Sequence, residues 1–172
     1  GLPEPETFDA WREAAPEGFI FALKFSRYGS HMKALKDPGD TISAFMERAE
    51  RLGDTLGPVL VQLRPKWKAN PSRLGAFLDA APENVSWAVE LRDESWLDDE
   101  VYDVLRSHNA ALVIHDMIPE HPRMITANWT YLRFHGHGDY TGSYTDGELD
   151  DWSHWISERL NQGMDVYAYF NN

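Results

Sequence analysis

Six short apolar runs, most of them separated by stretches of helical periodicity, constrain the fold of this 172-residue chain more than any other feature. Each run has the length of a strand and is rich in β-branched or aromatic residues. Strands that alternate with helices indicate parallel strands joined by right-handed crossovers. The runs span residues 19–26, 58–65, 86–93, 110–117, 129–136 and 165–172. The sequence therefore predicts an α/β fold and, with no internal repeat or low-complexity linker, a single domain over residues 1–172.

Local signals place helices between most of these strands. Asn70 followed by a proline is typical of an N-cap and the first helical position. Thr145 and Glu148 form the pattern of a capping box. The predicted helices fall within residues 5–15, 40–56, 71–81, 97–108 and 145–160. The connection between the fourth and fifth strands contains two prolines, so no regular helix is predicted there.

The predicted strands share one pattern at their carboxyl ends. Alternate side chains of a strand lie on the same face, and one face is apolar throughout while the other becomes polar toward the end of each strand. Parallel strands bring these ends to a single edge, where α/β folds bind ligands. The polar end residues are Lys24, Gln62, Arg64, Glu90, Arg92, Arg133, His135 and Asn171, and either His115 or Asp116 joins them.

Composition limits the classes of partner. The chain has 16 Lys and Arg against 28 Asp and Glu, a formal net charge of −12. This charge argues against an extended nucleic-acid surface, which needs clustered cations, but not against a local cationic pocket. The absence of cysteine excludes disulfides, thiolate metal sites and a cysteine nucleophile within this sequence. No apolar run has the roughly 20 residues of a membrane helix, so we expect a soluble, cytoplasmic protein without membrane contact.

Six blocks of the sequence resemble, in the same order, the YecE-like family, also called domain of unknown function seventy-two. The blocks are "WREAAPEGFIFALKFSRYGSHMKALKDP", "VLVQLRPKW", "AVELRDESW", "YLRFHG", "YTGSYTDGELDDW" and "DVYAYFNN". The resemblance implies a TIM-type β/α barrel and no established activity. It also implies that the six strands are the third to eighth of the barrel, in a fragment that lacks the first two strand units and the C-terminal helix.

The resemblance also indicates which residues form the site. We assign three of them to catalysis, namely Glu90, Asp116 and His135. The residues assigned to ligand binding are Lys24, His31, Gln62, Arg92, Trp96, Tyr131, Arg133, Tyr144, Asn171 and Asn172. No residue is assigned as a metal ligand, and the sequence identifies no cofactor and no oligomeric state.

Three chemistries fit these residues. A pocket for a small phosphate- or carboxylate-bearing ligand is favoured, because Lys24, Arg92 and Arg133 supply positive charge and His135 or Glu90 supplies acid/base chemistry. A divalent-metal hydrolase or isomerase is an alternative, and it would use Glu90, Asp116, His115 and His135.

Glycoside cleavage would need Glu90 paired with Asp116 or Glu94, with Trp67 and Trp96 as walls. A non-enzymatic ligand-binding or interaction protein is also compatible with the sequence. Two interpretations of the glycine-rich loop 136–145 fit the sequence, namely a lid that folds over the site and an ordinary surface loop.

Overall fold

Six parallel strands form one sheet in which the order of the strands is their order in the sequence. The computed structural model describes residues 2–136 and 142–170. The strands are β1 (Phe21–Lys24), β2 (Leu56–Gln62), β3 (Trp87–Glu90), β4 (Ala111–His115), β5 (Trp129–Phe134) and β6 (Asp165–Phe170). All five neighbouring pairs are parallel. The predicted α/β class is confirmed, and the sheet with its helices forms a half-barrel.

Within residues 2–136 and 142–170, five α-helices connect or precede the strands. They are α1 (Pro5–Ala14), α2 (Pro38–Ala49), α3 (Pro71–Ala80), α4 (Asp99–Ser107) and α5 (Asp146–Asn161). Asn70 caps α3 by accepting a hydrogen bond from the Arg73 backbone N–H, and Thr145 with Glu148 forms a complete capping box on α5. Both caps satisfy backbone N–H groups that a helix start leaves unpaired, so these two predictions are confirmed.

The connection from β4 to β5 contains no helix, as its prolines predict. Thr126 fastens this connection to the neighbouring strand. Its hydroxyl oxygen accepts a hydrogen bond from the Leu112 N–H at 2.8 Å and donates one to the Ala110 carbonyl at 2.7 Å. A hole in the outer helical layer is therefore left between α4 and α5, beside the carboxyl ends of β4 and β5.

The two faces of the sheet bury different cores. On the outer face Phe25 packs edge-on against Phe45 and Phe77, with ring centroids 5.2 and 5.3 Å apart. Each of these rings is at most 2% exposed, and burying such a side chain contributes roughly 1.5–3 kcal/mol. The inner face carries a smaller cluster, made of Leu60, Ala88, Ala111, Val113, Trp129 and Tyr131. This inner cluster forms the floor beneath the polar strand ends.

Strand register brings the predicted polar residues together. Gln62 of β2 lies opposite Glu90 of β3, and His115 of β4 lies opposite Arg133 of β5. The sequence left open which residue of β4 would face this side, and the register assigns His115. Within the described ranges, no helix combines the length and the hydropathy of a membrane span. A cytoplasmic location stays a prediction.

Candidate functional site

A buried carboxylate at the end of β3 is the centre of the polar cluster. The side chain of Glu90 is fully buried and pairs with two guanidinium groups, Arg133 Nη1 at 2.5 Å and Arg92 Nη1 at 2.6 Å. Gln62 Nε2 donates a third hydrogen bond to it at 3.0 Å. A charge out of contact with water needs such partners to remain ionised. Glu90 therefore joins strands β2, β3 and β5 into one polar layer.

The protonation state of Glu90 follows from these partners. Burial alone would raise the pKa of its carboxyl group, but the charge of Arg133 and the hydrogen bonds from Arg92 and Arg133 outweigh burial and lower the pKa. Glu90 is therefore ionised at neutral pH and carries no proton to donate. This arrangement favours a positioning role for Glu90, which orients two arginines, over the predicted role in acid/base catalysis.

A cationic pocket lies beside Glu90 at the carboxyl end of β1. It encloses 540 Å³ and is lined by Lys24, Arg27, His31 and Gln62, among others. The Lys24 ammonium group donates a hydrogen bond to Gln62 Oε1, which links the pocket to the Glu90 layer. Within the part of the chain described here, neither Arg27 nor the neighbouring Arg64 makes an ion pair with a carboxylate.

The charges around this pocket shift two pKa values in the same direction. Burial, followed by the charges of Arg133 and Arg92, lowers the pKa of Lys24 although Glu90 opposes this. Burial, followed by the charges of Arg27 and Lys24, lowers the pKa of His31. Burial is the largest cause of both shifts, and the positive charges that add to it lie at one place in a chain whose net charge is −12.

A second hydrogen-bonded cluster lies at the ends of β4 and β5. The Asp116 carboxylate accepts hydrogen bonds from the His135 backbone N–H at 2.9 Å and from the Tyr144 hydroxyl, and His135 Nδ1 lies 3.2 Å from Asp116 Oδ1. Tyr144 Oη in turn accepts a hydrogen bond from the Gly136 N–H at 2.8 Å. Burial and the charge of Arg133 lower the pKa of His135, so its imidazole ring is neutral at pH 7.

His115 is held in one tautomer by two backbone contacts. Its Nε2 donates to the Leu91 carbonyl at 2.7 Å, and its Nδ1 accepts from the Met117 N–H at 3.1 Å. Burial and the neighbouring His121 lower its pKa to about 4. Both ring nitrogens are therefore occupied within the fold, which leaves no lone pair on His115 for a metal ion.

In the described part of the chain, the positions of the His, Asp and Glu side chains do not support a divalent-metal enzyme. No group of three or more His, Asp or Glu side chains is arranged there to hold a metal ion. The glycosidase alternative also weakens, because both Glu90 oxygens, which would supply the ionised carboxylate of the pair, are engaged by arginines. Glu94 is exposed outside the Glu90 layer.

The remaining predicted site residues do not all lie at the polar cluster. Trp96 does not reach the cluster: it is fully buried in the outer core and donates its indole N–H to the Trp67 carbonyl at 2.5 Å. Its predicted role as a site wall is thereby corrected to core packing, since its place after the strand was compatible with either. Tyr131 lies on the inner face and stacks on Tyr169 at 5.1 Å, below the Glu90 layer. Three predicted positions, the proposed lid tip 137–141, Asn171 and Asn172, lie outside the described residues.

Sequence reasoning missed two cations that the structure brings to this edge, Arg27 and Arg123. Both lie outside the strands, so the alternation of strand side chains does not predict their positions. Arg27 follows β1 at the start of a π-helical turn (Tyr28–Met32), and Arg123 lies in the irregular β4–β5 connection. Arg123 lines a cleft of 680 Å³, with Asp116, His121, Phe134 and Trp152 among its other walls. No pattern in the sequence predicts this cleft. It lies in the gap between helices α4 and α5.

Comparison with known proteins gives the family of the chain. A family model described as "Protein of unknown function DUF72" matches residues 1–172. The chain is similar to the UPF0759 protein YecE of Escherichia coli, with 34% identity over 94 residues. That match covers 53% of this chain and 34% of the curated relative, so it spans about a third of the relative's length.

Two solved structures share the fold. A DUF72 family protein from Thermotoga maritima superposes with a TM-score of 0.82 at 24% identity, covering 99% of this chain and 74% of that one. A DUF72 family protein from Enterococcus faecalis gives a TM-score of 0.84 at 24% identity, covering 100% of this chain and 78% of that one. The family predicted from the six sequence blocks is thus confirmed: this chain belongs to the YecE-like DUF72 family.

Proposed function

We propose that this chain binds a small anionic ligand, carrying a phosphate or a carboxylate, at the carboxyl edge of its parallel sheet. The observation that carries the proposal is the concentration of cations there. Lys24, Arg92 and Arg133 lie around the buried Glu90 carboxylate, and Arg27 and Arg64 lie near His31 beside it, in a strongly acidic chain. An anion of opposite charge would offset their mutual repulsion.

The types of side chain support this ligand class. Arginine presents a planar fork that donates two parallel hydrogen bonds to a carboxylate or a phosphate. Glu90 holds Arg92 through a 2.6 Å contact, which fixes the guanidinium group before a ligand arrives. Such preorganisation reduces the entropy lost when a ligand binds. The Gln62 amide and the Lys24 ammonium group supply further donors on the same side.

We also propose that any acid/base step would use His135 rather than Glu90. The His135 ring is neutral and contacts Asp116 at 3.2 Å, an arrangement that orients an imidazole and stabilises its protonated form. Glu90 then serves as the anchor of Arg92 and Arg133. Since the paired arginines favour its ionised form, it would remain a carboxylate throughout.

The six strands are proposed to be part of a TIM-type barrel that forms one domain with the rest of residues 1–172. Sequential strand order, parallel pairing throughout and a filled inner face all agree with that architecture. In such barrels ligands bind at the carboxyl ends of the strands. The cationic pocket lies at this end, which supports the assignment of the site.

A thermal-shift screen of phosphorylated and carboxylated metabolites tests the proposal. A ligand present at about 100 times its Kd stabilises the folded state by about 2.7 kcal/mol, which raises the melting temperature by several degrees. We expect Arg27→Ala, which removes a cation that lines the pocket, to abolish the shift, whereas Arg48→Ala, which removes a cation at the far end of α2, preserves it. Stabilisation by no compound of either class, or equal stabilisation of the Arg27→Ala variant, would contradict the proposal.

A further inference from the structure

Three cavities lie in a row along the carboxyl edge of the sheet, each sharing wall residues with the next, and this row is called the groove below. The cationic pocket shares Pro65 with a middle cavity of 360 Å³. The middle cavity shares Met117, Ile118 and Pro119 with the 680 Å³ cleft in the hole between α4 and α5. Neighbouring strands lie about 4.8 Å apart, so the groove crosses roughly 14 Å from β1 to β4. A simple inorganic anion would fill only one end of it.

The two ends of the groove differ in chemistry. The cleft has apolar walls, formed by Ile114, Met117, Ile118, Pro119, Phe134 and Trp152. Two carboxylates and two guanidinium groups are also among the described residues that line it, Asp116 and Glu120 with Arg123 and Arg133. The charges of these four groups balance. The cleft is therefore suited to an uncharged group, in contrast to the cationic pocket.

Aromatic contacts stabilise the far wall of the cleft. The Arg123 guanidinium group lies over the Trp152 ring at 3.7 Å and pairs with Asp151 at 2.5 Å. Phe134 meets the same ring edge-on at a centroid distance of 5.0 Å. Because two side chains contact the Trp152 ring, its position is fixed before a ligand binds, as is usual for small-molecule sites. Apolar walls with a few polar groups at the mouth are also typical of a site for a ring.

The middle cavity has both charged and apolar walls. Its charged lining residues are Lys66, Lys68, Arg92, Asp93 and Glu94, and its apolar lining residues are Pro65, Met117, Ile118 and Pro119. Side chains of both signs supply hydrogen-bond donors and acceptors at closely spaced positions. A linker that carries several hydroxyl groups, such as a sugar, matches this lining better than a hydrocarbon chain does.

We propose that the groove binds one elongated phosphorylated compound, with its phosphate in the cationic pocket, a hydroxylated linker in the middle cavity and an uncharged ring in the cleft. A nucleoside monophosphate has this order of groups. The inference rests on the proposed anion site and specifies the class of its ligand. It assigns Met117 and the surrounding cleft to recognition of the ring.

Calorimetric titration with two probes, adenosine monophosphate and ribose 5-phosphate, tests this arrangement. Both carry the phosphate and the sugar, and only the first carries the ring. We expect adenosine monophosphate to bind at least about tenfold more tightly, an advantage of roughly 1.4 kcal/mol. Met117→Ser should reduce this ratio to about threefold or less, because a polar hydroxyl replaces part of the apolar wall. Met164→Ser, the same substitution at the residue that precedes β6 and therefore at the opposite edge of the sheet, should leave the ratio unchanged.

Different outcomes identify different failures. Binding of both probes with equal affinity would overturn the inference about the ring and leave the anion site intact. A tenfold preference that persists in Met117→Ser would place the ring outside the cleft and would also overturn it. If neither probe binds, the inference about the elongated ligand is overturned, and the anion site then depends on the other compounds in the thermal-shift screen. Lys24→Met should weaken both probes by the same factor, because it alters the shared phosphate end.

Discussion

Replacing Glu90 with glutamine should destabilise the protein strongly, because it removes the charge that two enclosed arginines share. The side chains of Glu90, Arg133 and Arg92 are 0%, 6% and 11% exposed. Breaking a buried ion pair by removing one partner costs about 3–5 kcal/mol. Glutamine has nearly the same volume, so no cavity is created, and its carbonyl oxygen keeps one hydrogen bond. We therefore expect a loss of about 3 kcal/mol, the lower end of this range.

Urea denaturation at pH 7 measures this loss directly. With a slope of about 2 kcal/mol/M, the unfolding midpoint should fall by roughly 1.5 M. Glu158→Gln is the matched control, since Glu158 pairs with Arg159 at 2.6 Å but its side chain is 67% exposed. Pairs that water screens contribute little, so the control midpoint should not change. A loss below about 1 kcal/mol for Glu90→Gln would refute the view that Glu90 anchors the layer.

The pH dependence of the same variant provides an independent check. The arginines lower the pKa of Glu90 below its ordinary value of 4.5. Its charge therefore stabilises the fold fully above the pKa of the unfolded chain, and this contribution is lost as the pH falls through the lower pKa of the folded state. The difference between wild type and Glu90→Gln should shrink as the solution is acidified below pH 4.5. A difference that does not change with pH would count against the ion pairs as its cause.

Three further predictions concern histidine protonation and one glycine. Anion binding should strengthen as the pH falls through the lowered pKa of His31, because the protonated ring attracts the ligand; calorimetry from pH 7.5 to 5 that shows constant affinity would contradict this. His115, with a pKa of about 4, should stay neutral in NMR titrations down to about that pH, and stability should fall between pH 6.5 and 4 as the unfolded chain alone takes up the proton; a midpoint near 6.5 would be the opposing result. Gly136→Ala should lower the melting temperature, since φ is +69° there and an added Cβ would lie 2.6 Å from the Gly142 carbonyl oxygen. Gly147→Ala, with open space around the position, should be neutral or stabilising.

The strands and helices were predictable because each has local signals. Alternation of side chains placed Gln62, Glu90 and Arg133 on one face, and strand register then brought them into contact. Capping residues such as Asn70 fixed helix starts within a residue or two. These features depend on neighbours in the sequence, and short-range physics suffices to predict them.

The parts that sequence reasoning missed depend on tertiary packing. Trp96 follows a strand just as site residues do, but its ring turns into the outer core and packs on Trp67 at 5.0 Å. Arg27 reaches the pocket from a π-helical turn, a conformation that no periodicity predicts. The sequence is compatible both with a catalytic Glu90 and with a structural ion network of Glu90, Arg92 and Arg133, and the contacts of both Glu90 oxygens with the two arginines favour the anchoring role proposed above.

Arginine side-chain NMR during titration with phosphate tests the central claim most directly. Nε–Hε resonances report each guanidinium group separately, so the protein contains its own controls. Arg27, Arg64 and Arg92 should shift together with a single saturating Kd, whereas Arg48 and Arg106, which lie on helices α2 and α4, should not respond. Weak, non-saturating shifts of equal size at all five arginines would contradict an anion site at the carboxyl edge of the sheet.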